Sequence, residues 1–221
     1  MPLPERHVRI AKDFYEHEKW ALNQLVIGVD EVGRGCLCGP LVTAAVILHP
    51  GKTSTKIKDS KLLDKQELID GYNWIIKNSW HATSIITHRT IDEINIYQAT
   101  LSSMKRSVMQ LNSIAPKADL ILVDAMPLKV ENFEVIHFPF GEKYSSSIAA
   151  ASIVAKVTRD KIMERLDNII PGYYMGQHKG YSTKLHGQTL ELLGESIIHR
   201  KSFLKKFNFL GQNDNEQKTL W

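Results

Sequence analysis

The chain has 221 residues, of which 43% are hydrophobic and 24% charged, proportions that exclude disordered and fibrous classes and leave room for a sizeable core. Its net charge of +4 permits a polyanionic partner, and Lys179, Lys184, Arg200, Lys201, Lys205 and Lys206 crowd the last fifth of the sequence. The first twenty residues are charged throughout, and the longest clean apolar run, "LVTAAVIL", is far too short to cross a bilayer, so a cytoplasmic protein without a membrane contact is expected.

Residues 25–32 and 41–48 are continuous apolar runs rich in β-branched residues and bounded by Gly and Pro, which predicts two central strands. Cys36 and Cys38 lie between them. Two cysteines one residue apart cannot staple a fold, and they read as small buried residues in a reduced compartment. A helix follows from Leu63, with Leu68, Tyr72 and Ile75 or Ile76 on one side, and then a third strand at 81–87. Thr90 and Glu93 have the spacing of a capping box, so a long amphipathic helix is predicted to open at Thr90.

Two short strands at 118–125 and 133–138 come next, and the connection between them is short for a helical crossover between parallel strands. From 145 to 168 serines suited to capping lead into an alanine-rich helix, apolar on most of its circumference, that should lie on the sheet. A loop then leads to a polar helix near 183–194 and a basic one near 200–209. The pattern predicts one α/β domain over 1–221, a mixed sheet flanked by helices (core about 25–168) with a C-terminal loop and helical extension (about 169–210) and a polar tail (211–221).

Four acids stand out. Asp30 with Glu31, and Asp124, close apolar strands, where ligands gather in α/β sheets; Asp160 falls on the inward side of the alanine-rich helix with Ile153 and Val157. Each alone has an ordinary explanation: a turn cap, an exposed loop start, or a pair with Lys156 or Arg159. Together, like charges at one place call for a cation, and oxygen ligands without a His-rich or Cys-rich motif suit Mg²⁺ or Mn²⁺. Two such ions support in-line phosphoryl displacement, and the basic C-terminal third suits a nucleic-acid backbone. Gly33 and Gly35 would let the main chain approach a ligand such as a sugar 2′-hydroxyl.

The blocks "IGVDEVGRGCLCGPLVTAAVIL", "DSKLLDKQ", "ILVDA", "SSSIAAASIVAKVTRDKIM" and "QHKGYSTKLHG" resemble, in order and spacing, those of type 2 ribonuclease H, ribonuclease HII, from about Leu25 to Leu193. The resemblance implies a ribonuclease H-like fold. It also implies two-metal hydrolysis of the RNA strand of RNA/DNA hybrids and incision 5′ of ribonucleotides in duplex DNA, leaving 3′-hydroxyl and 5′-phosphate ends. It carries metal binding and catalysis onto Asp30, Glu31, Asp124 and Asp160, 2′-hydroxyl recognition onto Gly33, Arg34 and Gly35, and the junction-reading tyrosine onto Tyr181. Phosphate contacts fall on Lys61, His178 and Lys179.

Ala125 stands where the family usually has glycine. The sister type, ribonuclease HIII, has a glutamate as its last acid and an extra N-terminal domain, so Asp160 and the short N-terminus point to type 2. The final "QKTLW" resembles a sliding-clamp peptide, through Gln217, Leu220 and Trp221. A monomeric enzyme is expected. The rival readings are another two-metal nuclease of this fold, without a use for a 2′-hydroxyl reader, and a non-catalytic nucleic-acid-binding protein.

Overall fold

The computed structural model describes residues 13–57, 60 and 63–205. The strands are β1 (Val26–Val32), β2 (Leu41–Leu48), β3 (Ser79–Ile86), β4 (Leu120–Asp124) and β5 (Glu134–Phe138). They form one sheet in the order β3-β2-β1-β4-β5, with β1, β2 and β3 antiparallel in turn and β4 and β5 added parallel. The helices are α1 (Phe14–Ala21), α2 (Lys65–Asn78), α3 (His88–Ile94), α4 (Ile96–Ile114), α5 (Ser146–Ile169), α6 (Met175–His178), α7 (Lys184–Leu193) and α8 (Lys201–Leu204). The fold is the expected mixed sheet flanked by helices.

Strand alternation divides the core into two layers. Ile27, Val29, Ala45, Ile47, Ile121 and Val123 pack against Met104, Val108 and Leu111 of α4. On the other face Val42, Ala44, Val46 and Leu48 meet Ile153, Val154 and Val157 of α5 and Ile75 of α2. The alanines of α5 have a geometric reason: a Cβ on Gly28 would lie 2.0 Å from the Ser147 carbonyl carbon, so helix and strand backbones touch there. Ser145 caps α5 by accepting the Ile148 N–H at 3.1 Å.

The short connection from β4 to β5 contains no helix. Met126, Leu128 and Val130 are buried while Pro127 and Lys129 are exposed, so the segment crosses the α4 face as an extended chain with alternate residues in the core. This resolves the crossover in nine residues, 125–133. Ala125 sits at φ +53, a left-handed conformation that glycine adopts without steric cost.

One boundary differs from expectation. The long helix does not open at Thr90 with a Thr90–Glu93 box: Thr87 caps α3 by accepting the Thr90 N–H, and α3 ends at Asn95, whose side chain accepts the Gln98 N–H and starts α4. The capping box present is Asp64 with Glu67, at α2. Helix α1 is an addition to the sequence reading; its Glu16 is fully buried and accepts the Ser145 hydroxyl and the Ser147 N–H, placing a carboxylate at the N-terminus of α5.

The C-terminal extension is sewn to the β1–β2 loop through main-chain bonds: Leu37 N–H to Gly180 O at 2.8 Å, Gly39 N–H to Ile198 O at 3.0 Å and Arg200 N–H to Leu37 O at 2.8 Å. The polar helix predicted near 183–194 is α7. Of the basic one predicted near 200–209, α8 covers 201–204, and residues 206–209 lie outside the described residues.

The Gly28 contact yields a stability prediction. Gly28→Ala should lower the unfolding free energy by about 3 kcal/mol, because the α5 backbone has to move. Urea denaturation measures this; an unchanged midpoint would show that the helix and strand are further apart than described.

Candidate active site

Asp30 and Asp124 converge because β1 and β4 are parallel neighbours in register, Val29 beside Val123, so the next residues on both strands lie side by side. Strand alternation puts both on the α5 face, continuing Val26, Gly28 and Leu120, Leu122. Asp30 is buried; its Oδ1 accepts the Glu31 N–H at 2.7 Å, and its carboxyl group takes a hydrogen bond from the Ser152 hydroxyl of α5. Ser152 in turn meets Ser60 at 2.7 Å, which docks the loop before α2 beside the acids. Burial, and then the charges of Glu31 and Asp124, push the Asp30 carboxyl well above the usual carboxylate range.

Asp124 Oδ1 accepts the Gly141 N–H at 2.8 Å. The next residue is Glu142, in the 3₁₀ turn Gly141–Lys143, and it is only 9% exposed. The turn is thus tied to the end of β4, and it carries an acid that sequence reasoning passed over.

Glu31 follows Asp30 but belongs to the opposite side of the strand, since it pairs with Thr43, whose hydroxyl meets Ser103 of α4 at 2.9 Å. Its Oε1 is 3.4 Å from Arg34 Nη1. The Gly33–Gly35 loop leaves β1 directly. Gly33 has φ +93, and a Cβ there would lie 2.3 Å from Arg159 Nε; Gly35 faces open space.

Asp160 lies elsewhere. It is eight residues along α5 from Ser152, about 12 Å of helix, and its Oδ1 pairs with Lys156 at 3.0 Å. Its charge is felt by Tyr181, a residue 39% exposed whose ring centre lies 5.7 Å from Lys156 Nζ. Burial pushes the Tyr181 hydroxyl up to about 12, with Cys36 adding.

His178 is a correction. It is buried, Nε2 donates to Tyr173 O at 2.7 Å and Nδ1 accepts the Gly180 N–H at 3.0 Å, so both nitrogens serve the loop rather than a phosphate. Lys179 Nζ pairs with Glu164 at 2.8 Å and reaches a phosphate only by leaving it. Lys61 lies outside the described residues, as do Gln217, Leu220 and Trp221.

Cys38, His186 and His199 bring their ligand atoms within 4.8 Å of one another, and among the described residues theirs is the group of metal-ligand type this tight. The hydrogen bonds determine its chemistry. His199 Nδ1 accepts the Ser196 N–H at 2.8 Å, so its Nε2 carries the proton and donates to His186 Nε2 at 3.0 Å, leaving His186 Nδ1–H to donate to Tyr181 O at 2.9 Å. Burial holds both imidazoles down to about 4 and pushes the Cys38 thiol up to about 12. The ring lone pairs are used, and the two imidazoles form a neutral relay of hydrogen bonds that supports the Tyr181 backbone.

The acids fit a hard cation better: their donors are carboxylate oxygens, and the upward pressure on Asp30 is what a bound divalent ion relieves. The sheet order and the placement of acids at its strand ends define a ribonuclease H-like nuclease fold. The same fold is seen in ribonuclease HII from Archaeoglobus fulgidus, solved in complex with PCNA (TM-score 0.69, 23% identity, 85% of this chain and 97% of that one), and in Bst-RNase HIII in complex with Mn²⁺ (TM-score 0.67, 20% identity, 86% and 70%).

The chain belongs to the ribonuclease HII family: the family model, Ribonuclease HII, matches residues 27–210. A ribonuclease HII of Lactobacillus acidophilus is 42% identical over 88% of this chain and 77% of its own length. It is therefore a nuclease with ribonuclease H activity, of a metal-dependent family. No helix among the described residues is long and apolar enough to cross a membrane.

The charge crowding sets a sign. In the absence of metal the folded protein holds the Asp30 proton to higher pH than the unfolded chain does, so stability is lost as pH rises above the ordinary value of 3.8 through the raised one. In chelator at neutral pH, Asp30→Asn should therefore melt above wild type, and Mn²⁺ should raise the wild-type midpoint more than the variant's. A variant that melts lower in chelator and gains as much from Mn²⁺ would contradict this.

Proposed function

We propose that the protein is an endoribonuclease that hydrolyses the RNA strand of RNA/DNA hybrids and incises duplex DNA 5′ of an embedded ribonucleotide, leaving 3′-hydroxyl and 5′-phosphate ends. The reading is carried by one observation: Asp30 and Asp124 meet at one sheet end, with the Gly33–Gly35 loop leaving the same strand. Family membership supports it.

Asp30 and Asp124 would hold Mg²⁺ or Mn²⁺, with Glu31 adding charge from the neighbouring position. Asp160 was the fourth acid expected, but its placement by Lys156 and Tyr181 favours Glu142 in that role. Two ions bound there would supply an activated water and stabilise the leaving 3′ oxygen. The chain's own groups do the rest. Ser152 orients the Asp30 carboxyl, Gly33 and Gly35 present main-chain groups to the 2′-hydroxyl, and Tyr181 offers a ring face to the sugar that follows. The exposed Lys184, Lys201 and Lys205 add sequence-independent attraction to phosphates.

A labelled DNA duplex with one ribonucleotide, an RNA/DNA hybrid and an all-DNA branched duplex test this, each with Mg²⁺, Mn²⁺ or chelator. Metal-dependent cutting 5′ of the ribonucleotide is expected, with Asp124→Asn lowering the rate by about 10³-fold or more while duplex binding persists. Cutting of the all-DNA duplex would favour a different two-metal nuclease, and binding without cutting a non-catalytic protein.

The Archaeoglobus fulgidus relative in complex with PCNA supports a clamp contact through Gln217, Leu220 and Trp221. Removing residues 217–221 should abolish co-elution with a sliding clamp and leave cleavage of short duplexes unchanged; retained co-elution would refute the contact.

A further inference from the structure

Two arginines beneath the reader loops are fully buried, Arg159 and Arg200, both at 0% exposure. Among the described residues neither makes an ion pair. An isolated buried cation is costly, and a guanidinium is tolerated there when its planar fork is filled by acceptors. Here the acceptors are main-chain carbonyls from segments far apart in the chain. Arg159 donates to Pro40 O at 2.8 Å, Lys179 O at 2.7 Å and Cys38 O at 3.3 Å. Arg200 donates twice to Gly39 O, at 3.2 and 3.0 Å, and to Arg34 O at 2.9 Å.

These bonds span the two recognition elements. Arg34 is the middle residue of the Gly33–Gly35 loop, and Lys179 stands two residues before Tyr181. Arg159 also lies directly under Gly33, where a Cβ would meet its Nε and Cδ at 2.3 and 2.8 Å, and its guanidinium carbon is 5.8 Å from the Tyr181 ring centre. Gly180 packs against the same strut, with a would-be Cβ 2.6 Å from Cys38 O. Residues 34–40 and 179–181 therefore share one buried scaffold of guanidinium forks.

We propose that Arg159 and Arg200 are positioning residues for ribonucleotide selection: they fix the spacing between the Gly33–Gly35 loop and Tyr181, so that a ribose and the deoxyribose after it are read together. This rests on the reading that those two elements recognise the junction. A single ribonucleotide in DNA offers one register that satisfies both, whereas a long hybrid offers a 2′-hydroxyl at every step and no junction. Loss of the spacing therefore harms the first substrate more. Lysine keeps the charge but cannot fork to two or three carbonyls at once.

The test compares kcat and KM of wild type, Arg159→Lys and Arg200→Lys on the single-ribonucleotide duplex and on an RNA/DNA hybrid, with thermal unfolding of each. The expected result is a fall in kcat/KM on the single-ribonucleotide duplex about tenfold larger than on the hybrid, carried by kcat. Equal losses on both substrates would reduce the arginines to supports of the fold and overturn the proposal. Failure of the wild type itself to cut at a single ribonucleotide would instead overturn the functional reading, before any variant is compared.

Should a lysine variant not fold, hydrogen exchange of the wild type decides. Amides of Leu37, Gly39 and Arg200 should already be protected in the free protein and change little when the ribonucleotide duplex binds in Ca²⁺. Protection that appears only with the duplex would show that the spacing is not set in advance, and would refute the proposal.

Discussion

Everything at this site depends on the parallel pairing of β1 with β4. Because Val29 and Val123 are in register, Asp30 and Asp124 emerge as neighbours on one face of the sheet. Contact between the α5 and β1 backbones at Gly28 then closes that face and removes solvent from Asp30. Like charges confined this way oppose folding unless a proton or a cation compensates them. A divalent ion bound at this strand end would relieve that cost.

The second organising element is the loop cluster that joins β1 to β2. Its main-chain groups are tied to the C-terminal extension by Leu37, Gly39 and Arg200, and from below by the two buried guanidinium groups. The neutral chain from Ser196 through His199 and His186 ends on the Tyr181 carbonyl. The carboxylates proposed as catalytic and the groups proposed to face a sugar thus sit on separate supports, the sheet for the former and a web of backbone acceptors for the latter. Rigid supports of this kind favour recognition of a fixed geometry.

Much of this was legible in the sequence, for physical reasons. Apolar β-branched runs that end in acids announce both the central strands and the residues at their ends, which is why β1, β2, β4, Asp30 and Asp124 could be placed. The alanine-rich stretch announced a helix packed closely on the sheet. Inward periodicity also drew attention to Asp160, yet a helix face says nothing about position along the helix axis, and Asp160 lies eight residues along α5 from the serine that bonds Asp30, beside Lys156.

Glu142 was hidden because a single 3₁₀ turn has no periodicity to read. The distinction from ribonuclease HIII that leaned on Asp160 as the last acid weakens accordingly, and the family assignment stands on the family model and the close relatives instead. His178 resembled a phosphate ligand in sequence, whereas only the fold reveals that its ring is spent on Tyr173 and Gly180. The arginine forks were equally invisible, since their partners are carbonyls of every residue type. Helix α1 carries no capping signal of its own and is fixed by tertiary contacts of Glu16.

The most direct test of the central claim is the location of bound metal. Anomalous diffraction from Mn²⁺ in crystals of the protein with a ribonucleotide-containing duplex would show which side chains ligate it. The account predicts an ion touching Asp30 and Asp124, with Glu142 as the further carboxylate and Asp160 still beside Lys156. An ion held by Asp160, or by Cys38 with His186 and His199, would contradict it.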